Sequence, residues 1–478
     1  MNSFKTNIIF GAIWTILGQF GYVGVVLITN IILARILSPY IFGKIGIVMF
    51  FIVLFNVFVE GGMGGALIRK KVATNQDYTT VFLFNFFVSV FLFVLIILTS
   101  GYISNYYRDA SLKNVLIVTG LLLIINSFQL VHNIKLNRKL EYKKKAFYSF
   151  ISIVVASCIG IVMAFNNFGI WSMVAIQLLN SAFVAILLWT FEGSFGKLIF
   201  SKSSFKELIG FGANTTLALT INTAFDNIYQ LVLGRYFSIT QVGLFYQAKR
   251  LQDMPSAVVS VTASGVVYSS ISKLQHEREV FLSAFHKILS IYTILMGLVT
   301  TMFFFYSDEI ILLLYGKKWI EAGYYMKLLS VVSFFYSLSI INDLVFKVFD
   351  KTKRIIKIMF IKSIFQAVTI GVGIWTLNLD ILIYGFIITV IMTFVLNFYF
   401  SRRILDDFKV SEIINLLKII TICVLIVLLF SGIVNVLNIT GLITLVFIPI
   451  IFLVYIFSIQ ELKVFDIMSE LKSLLKRT

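Results

Sequence analysis

The stretch TTVFLFNFFVSVFLFVLIILTSGYIS (79–104) contains no Asp, Glu, Lys or Arg. A helix needs about 20 apolar residues to cross a hydrocarbon core of about 30 Å, so this segment by itself reads as a membrane span. Upstream, stretches of the same kind occur at 7–33 and 41–68. Downstream they recur at 113–134, 146–166, 168–191, 206–234, 241–271, 281–306, 323–346, 355–376, 380–401, 413–436 and 439–460. The pattern predicts an all-α polytopic membrane protein with about 14 transmembrane helices. The first stretch leads directly into further spans and lacks an A-x-A-like site, so it is expected to be a span rather than a cleaved signal. With only three prolines, Pro39, Pro255 and Pro449, most spans are expected to be straight.

Composition agrees with this reading. Of 478 residues, 59% are hydrophobic and 13% charged, against about 45–50% and about 25% in soluble domains. That balance excludes a disordered chain, a coiled coil and a water-soluble enzyme. Cys158 and Cys423 lie in apolar runs and read as packing residues. The histidines (His132, His276, His286) have no metal-ligand spacing, so no metal site is expected. No phosphate-cradling glycine loop or nucleophile elbow occurs. The loops are too short to hold an extramembrane catalytic domain.

The net charge of +18 could signal nucleic acid, but its placement argues for membrane orientation. If successive loops are assigned alternately to two sides, one side collects most Lys and Arg: Lys5, Arg69-Lys70-Lys71, KLNRKLEYKKK (135–145), Lys197, Lys202, Lys206, KVFDKTKRIIK (347–357), Arg402-Arg403 and Lys476-Arg477. The positive-inside rule puts both termini and these loops in the cytoplasm. No nucleic-acid partner is expected.

The segment ITNIILARILSPYIFGKIG (28–46) aligns without a gap on IYQLVLGRYFSITQVGLFY (228–246), matching Ile28, Leu33, Arg35, Ser38 and Gly43 with Ile228, Leu233, Arg235, Ser238 and Gly243. Phe10-Gly11-Ala12 and Phe211-Gly212-Ala213 also correspond, with a one-residue slip. Six spans separate the copies, so both have the same orientation. The expectation is two parallel six-helix lobes around a central cavity, with two extra C-terminal helices. The lobes would be residues 1–197 and 198–403, followed by 404–478.

Four further segments carry a family resemblance: LNRKLEYKKKAF (136–147), NNFGIWSMVAIQLL (166–179), DNIYQLVLGRYFSITQVGLFYQAKRLQDMP (226–255) and IILLLYGKKWIEAGYYMKLLS (310–330). By their order and spacing the chain resembles the Wzx-type polysaccharide and O-antigen flippases, within the multidrug/oligosaccharidyl-lipid/polysaccharide exporter superfamily. The resemblance implies a bacterial cytoplasmic-membrane flippase, without covalent chemistry, that moves undecaprenyl-diphosphate-linked repeat units to the outer leaflet by alternating access. It further implies membrane lipids as surroundings, glycosyltransferases and a polymerase as partners, and no cofactor beyond coupling to H+ or Na+. A multidrug exporter and a peptidoglycan-precursor flippase share the fold and remain alternatives. A membrane glycan polymerase is a distant one.

Ionisable groups within spans are costly and mark pathways or internal pairs. Span 8 carries Gln247, Lys249, Arg250 and Asp253. Arg250 lies nine residues past Gln241, about 14 Å deep at 1.5 Å per residue, where it could hold a diphosphate. The local alternative is an i, i+4 pair between Lys249 and Asp253. Span 7 carries Asn222, Asp226, Asn227 and Gln230. Spans 7 and 8 are expected to turn near Ser238-Ile239, which sets Asp226 and Arg250 at equal depth and predicts that they pair. Glu60 is either a coupling carboxylate or the end of a helix near Arg69. Asp343 reads as structural, with Lys347 one turn away. Lys362, with Gln366, either lines the cavity or forms a local pair.

Overall fold

The computed structural model describes residues 2–195, 197–439, 441–462 and 464; for 2–17, 19, 211–215 and 218 the description covers the backbone alone. Lys5, Lys476, Arg477, Phe10–Ala12 and the side chains of Phe211–Ala213 therefore lie outside the described side chains. Residues 1–246 form one compact unit and residues 247–478 a second.

The first unit contains α1 (Asn2–Ile36), α2 (Pro39–Glu60), α3 (Met63–Arg69), α4 (Asn75–Tyr106), α5 (Ser111–Arg138), α6 (Tyr142–Phe165), α7 (Ile170–Glu192), α8 (Lys202–Tyr236) and the start of α9 (Ile239–Thr262). The second continues with α10 (Tyr268–Ile271), α11 (Arg278–Phe305), α12 (Ser307–Tyr315), α13 (Ala322–Val348), α14 (Thr352–Thr376), α15 (Leu379–Leu405), α16 (Val410–Val436) and α17 (Ile448–Glu461).

Among the described residues, twelve helices are long and apolar enough to cross a membrane, where the sequence predicts about 14. The other two expected spans fall on α1, whose described apolar part is the shorter Phe20–Ile36, and on α8. The latter is 35 residues long but diluted by Asn222, Asp226, Asn227 and Gln230. The protein is a multi-pass membrane protein.

Span 2, expected as one helix over 41–68, is broken. Gly61 and Gly62 both adopt left-handed backbone, φ 55° and 58°, ending α2 at Glu60 and restarting the chain as α3. Only glycine takes two such positions in succession without strain. The chain of α9 passes through Pro255 and then into a π-helical turn at Ala263–Val267, so this span is less regular than the scarcity of proline implies. The expected hairpin is present: α8 ends at Tyr236 and α9 begins at Ile239.

The repeat has a packing basis. A Cβ placed on Gly43 would collide with the Ile239 carbonyl, and one on Gly243 with the Pro39 carbonyl. Gly43 and Gly243 are equivalent in the repeat, as are Pro39 and Ile239. Residue i of one copy meets residue j of the other, and j meets i, which is the contact pattern of a local twofold. Gly43 and Gly243 match because each lets the other copy's backbone approach.

At one end of the first unit, the α4–α5 connection is tied to α2 through Asp109. Its carboxylate accepts from Tyr40 Oη at 2.7 Å and pairs with Lys44 at 2.9 Å. At the other end, Thr74 and Asp77 form a reciprocal cap on α4. Lys70 bridges Asp77 and Glu207, at 3.0 and 2.8 Å. Arg138 at this end donates to the carbonyls of Leu67 and Lys70. The basic segments 69–71 and 135–145 are thus gathered at one end of the unit. Buried His132 contacts the Gly193 carbonyl at 2.9 Å and packs against Trp189 and Phe195, a structural role.

In the second unit, α9 and α13 meet along hydroxyls. Ser256 lies 2.9 Å from Ser333 and 3.3 Å from Ser337. α16 and α17 close on α11, where Tyr455 donates to the Ile294 carbonyl at 2.8 Å.

Candidate functional site

Polar residues inside the spans form three groups. The first is on the α8–α9 hairpin. In the first unit, Asp226 accepts from Asn222, one turn earlier, at 2.9 Å. Asp226 is half-buried and Gln230 buried. In the second unit, Lys249 pairs with Asp253 at 2.8 Å, so the local i, i+4 reading of these two residues is realised. Gln247 is fully buried, Arg250 half-buried and Asp253 exposed. Lys362 lies half-buried on α14, one turn before buried Gln366. Asp343 lies on α13, one turn before Lys347 of the same helix. Glu60 is exposed as the last residue of α2.

The second group is a polar cavity of ≈ 430 Å³ within the first unit, between α1, α5, α6 and α7. Gln129, Asn133 and Asn137 line it from α5. They recur every fourth residue and so share one face of that helix. Tyr142, Lys145 and Ser149 face it from α6, Tyr22 from α1 and Asn180 from α7. The wall between α1 and α6 depends on Gly18, where a Cβ would strike that of Ala146. Behind the cavity, Gln129 donates to the backbone and hydroxyl oxygens of Ser181, at 2.8 and 2.6 Å. Ser181 in turn donates to Asn126, and Asn126 to Asn56, at 2.5 and 3.2 Å. These bonds fix the amide orientations.

Among the described residues the Lys145 ammonium makes one hydrogen bond, to Asn137 Oδ1 at 3.3 Å. No carboxylate lies within ion-pair distance of it among the described residues. Its neighbour Lys144 differs, pairing with Glu141 at 2.7 Å and Glu192 at 3.3 Å. Sequence reading absorbed Lys145 into the topology-setting run 135–145 and passed over the amides. The four-residue spacing of Gln129, Asn133 and Asn137 was the signal available.

The third group fastens α16 to the second unit. Arg402 is wholly buried, donates through Nε to Glu412 at 2.6 Å, and reaches Asn342 and Ser401 at 3.4 and 3.3 Å. His286 stands between two carboxylates, with Nε2 at 2.6 Å from Asp407 and Nδ1 against Glu412. A cavity of ≈ 190 Å³ adjoins His286 and Glu412. Among the described residues, no group of three or more His, Cys, Asp or Glu is arranged to hold a metal ion.

Comparison with known proteins connects this chain to polysaccharide assembly. Residues 32–324 match the family model described as "Polysaccharide biosynthesis protein". The succinoglycan biosynthesis transport protein ExoT of Rhizobium meliloti (strain 1021) is 24% identical over 319 residues, 66% of this chain and 64% of that protein. The match thus spans less than two thirds of that relative's length. The lipopolysaccharide biosynthesis protein WzxC of Escherichia coli (strain K12) is 24% identical over 69% of this chain and 68% of its own. The teichuronic acid biosynthesis protein TuaB of Bacillus subtilis (strain 168) is 22% identical over 58% of each. Among solved structures, the lipid II flippase MurJ in an inward closed conformation superposes with a TM-score of 0.73, covering 95% of this chain and 98% of that one at 16% identity. An inward-facing multidrug resistance MATE family transporter gives 0.63, covering 83% and 98% at 15% identity. The fold is MurJ/MATE-like.

Proposed function

We propose that this chain, which belongs to the polysaccharide biosynthesis protein family, is a flippase that carries undecaprenyl-diphosphate-linked glycan repeat units from the cytoplasmic to the outer leaflet. The observation that carries the proposal is the joint one of a family match over 32–324 and a MurJ/MATE-like fold over almost the whole chain. The relatives with named roles are transport and flippase proteins, which supports a transporter rather than an enzyme.

On this reading the chain has 14 membrane helices in two six-helix lobes, 1–197 and 198–403, around a central cavity, and 404–478 adds two further helices. The basic ends of the helices face the cytoplasm, as do both termini. The physical task is to carry an anionic diphosphate and a hydroxyl-rich glycan past hydrocarbon while the lipid tail stays in the bilayer. A cavity lined by hydrogen-bonding and cationic groups lowers that barrier, and alternating access moves its opening from one side to the other. Arg250 is the proposed diphosphate ligand, with Lys249, Gln247, Asp253, Gln230 and Lys362 along the pathway. Asp226 or Glu60 takes the coupling ion, H+ or Na+. Glycosyltransferases and a polymerase would supply and consume the glycan.

A multidrug exporter is the second reading, favoured by the likeness to MATE transporters. Its organic-cation substrates would not be served by a pathway in which Arg250 and Lys249 are central.

The test is flipping in proteoliposomes loaded with a lipid-linked oligosaccharide whose sugar is accessible to a membrane-impermeant reagent. The unaltered chain should expose the sugar. Arg250→Ala should lower the rate at least tenfold with the melting temperature unchanged, and Arg250→Lys should retain part of it, since a point charge survives although the bidentate fork is lost. Full flipping by Arg250→Ala would remove Arg250 from the site. No flipping by a folded, unaltered chain would remove the function.

A further inference from the structure

The cavity between α1, α5, α6 and α7 is set apart by what it lacks. Among the described residues, its polar lining consists of amides, phenols, one serine hydroxyl and one ammonium group, with no carboxylate. Among the described residues, the ammonium of half-buried Lys145 has only the Asn137 side-chain carbonyl oxygen as a partner. Holding an ammonium group away from water against neutral groups is unfavourable unless an anion completes the site. A second group is also left incomplete. Asn180 Oδ1 is buried and has no hydrogen-bond partner among the described residues, while its Nδ2 reaches Tyr22 only at 3.5 Å. The side chains of Asn133 and Ser149 make no hydrogen bond among the described residues.

We infer that this cavity is a saccharide-binding site for the head of the transported glycan, specific for a sugar that carries one anionic group. It rests on the flippase reading above. The amides and phenols match the dense donors and acceptors of sugar hydroxyls, and Lys145 matches the anion, whether carboxylate of a uronic acid or phosphate at the linkage. The volume of ≈ 430 Å³ lies within the about 300–1,000 Å³ of small-ligand pockets. From Asn137 to Gln129 the amide face runs about 12 Å along α5 at 1.5 Å per residue. Its outer limit is the 139–141 connection, at the basic end of the unit. A glycan head approaching from that end meets Lys145 first and the Gln129–Ser181 network last. The bonds behind Gln129 hold its amide in one orientation, so this sugar-facing group is preorganised.

The experiment uses the purified full chain in zwitterionic-lipid nanodiscs and titrates three soluble probes: cellobiouronic acid, glucose 1-phosphate and neutral cellobiose. At least one anionic probe should bind at least tenfold more tightly than cellobiose, and the tighter of the two identifies the source of the charge. Lys145→Met keeps the aliphatic stem and should weaken the anionic probe 10- to 100-fold, the range of a charge-assisted hydrogen bond. Lys145→Arg should keep most of the affinity. Asn180→Asp, nearly isosteric, should weaken anionic probes more than cellobiose. Equal affinity for all three probes overturns the inference, as does binding of none by the unaltered chain or undiminished anion binding by Lys145→Met. None of these readings depends on flipping. Failure of the chain to flip lipid-linked glycan would therefore be recorded separately from failure of the pocket.

Discussion

Arg402 provides a quantitative test of how α16 is attached. Its guanidinium has no solvent exposure, its Nε lies 2.6 Å from Glu412, and its plane contacts Phe398 and Phe285 with centroids at 4.5 and 5.1 Å. Glu412 is 13% exposed and is held on its other side by His286. Removing one member of a buried ion pair leaves the other charge without compensation, which costs about 3–5 kcal/mol. Arg402→Met nearly preserves the volume packed on the two phenylalanines, so the loss should be mainly electrostatic and at the lower end, about 3 kcal/mol. Glu412→Gln retains an acceptor for Nε and should lose about 2 kcal/mol. Neither loss should add fully in the double variant, because its neutral groups leave no orphaned charge; the deficit should be at least about 1 kcal/mol below the sum. The assay is SDS-driven unfolding in mixed micelles, followed by far-ultraviolet circular dichroism. A single variant Arg402→Met within about 1 kcal/mol of the parent, or strict additivity of the two substitutions, would refute the assignment of a coupled buried pair.

In the first unit, burial disfavours ionisation of Asp109, but hydrogen bonds from Tyr40 and Ser111 and the Lys44 ammonium outweigh it and hold its carboxyl at about 2. Because the folded-state value is depressed, the stabilisation is fully present above about pH 4 and is lost as pH falls toward 2; it amounts to about 2 kcal/mol. Asp109→Asn should remove that portion of the acid-induced loss, measured as melting temperature against pH between 5 and 2. The twofold seam predicts that Gly43→Ala and Gly243→Ala both reduce melting temperature, since each new methyl group meets backbone of the other repeat. Gly101→Ala, which meets nothing within 4 Å, should instead raise stability by about 0.5–1 kcal/mol through helix propensity. Equal effects at all three positions would remove the packing explanation for the repeat.

The spans were legible because a bilayer reads composition over consecutive residues: 79–104 declares a span whatever it packs against. The α8–α9 turn and the Lys249–Asp253 pair were legible for a related reason, since helical spacing places those atoms together locally. The match of Gly43 with Gly243 was visible, but its cause was not, because the colliding carbonyls belong to the other copy. Span 2 read as one helix because Gly61 and Gly62 are apolar-compatible; their left-handed backbone depends on where α3 must lie. Lys145 looked like its neighbours in a basic run, yet Lys144 finds Glu141 and Glu192 while Lys145 turns to a cavity assembled from four helices. Arg402, His286 and Glu412 lie on three helices, with more than a hundred residues between His286 and the other two, and nothing near any of them in the chain marks the contact. What the sequence determined by itself is thus the set of elements that hydrocarbon and local spacing specify. The pocket, the charge cluster and the glycine seam were decided by the tertiary structure, because each exists only where helix faces distant in the chain come within hydrogen-bonding or van der Waals distance.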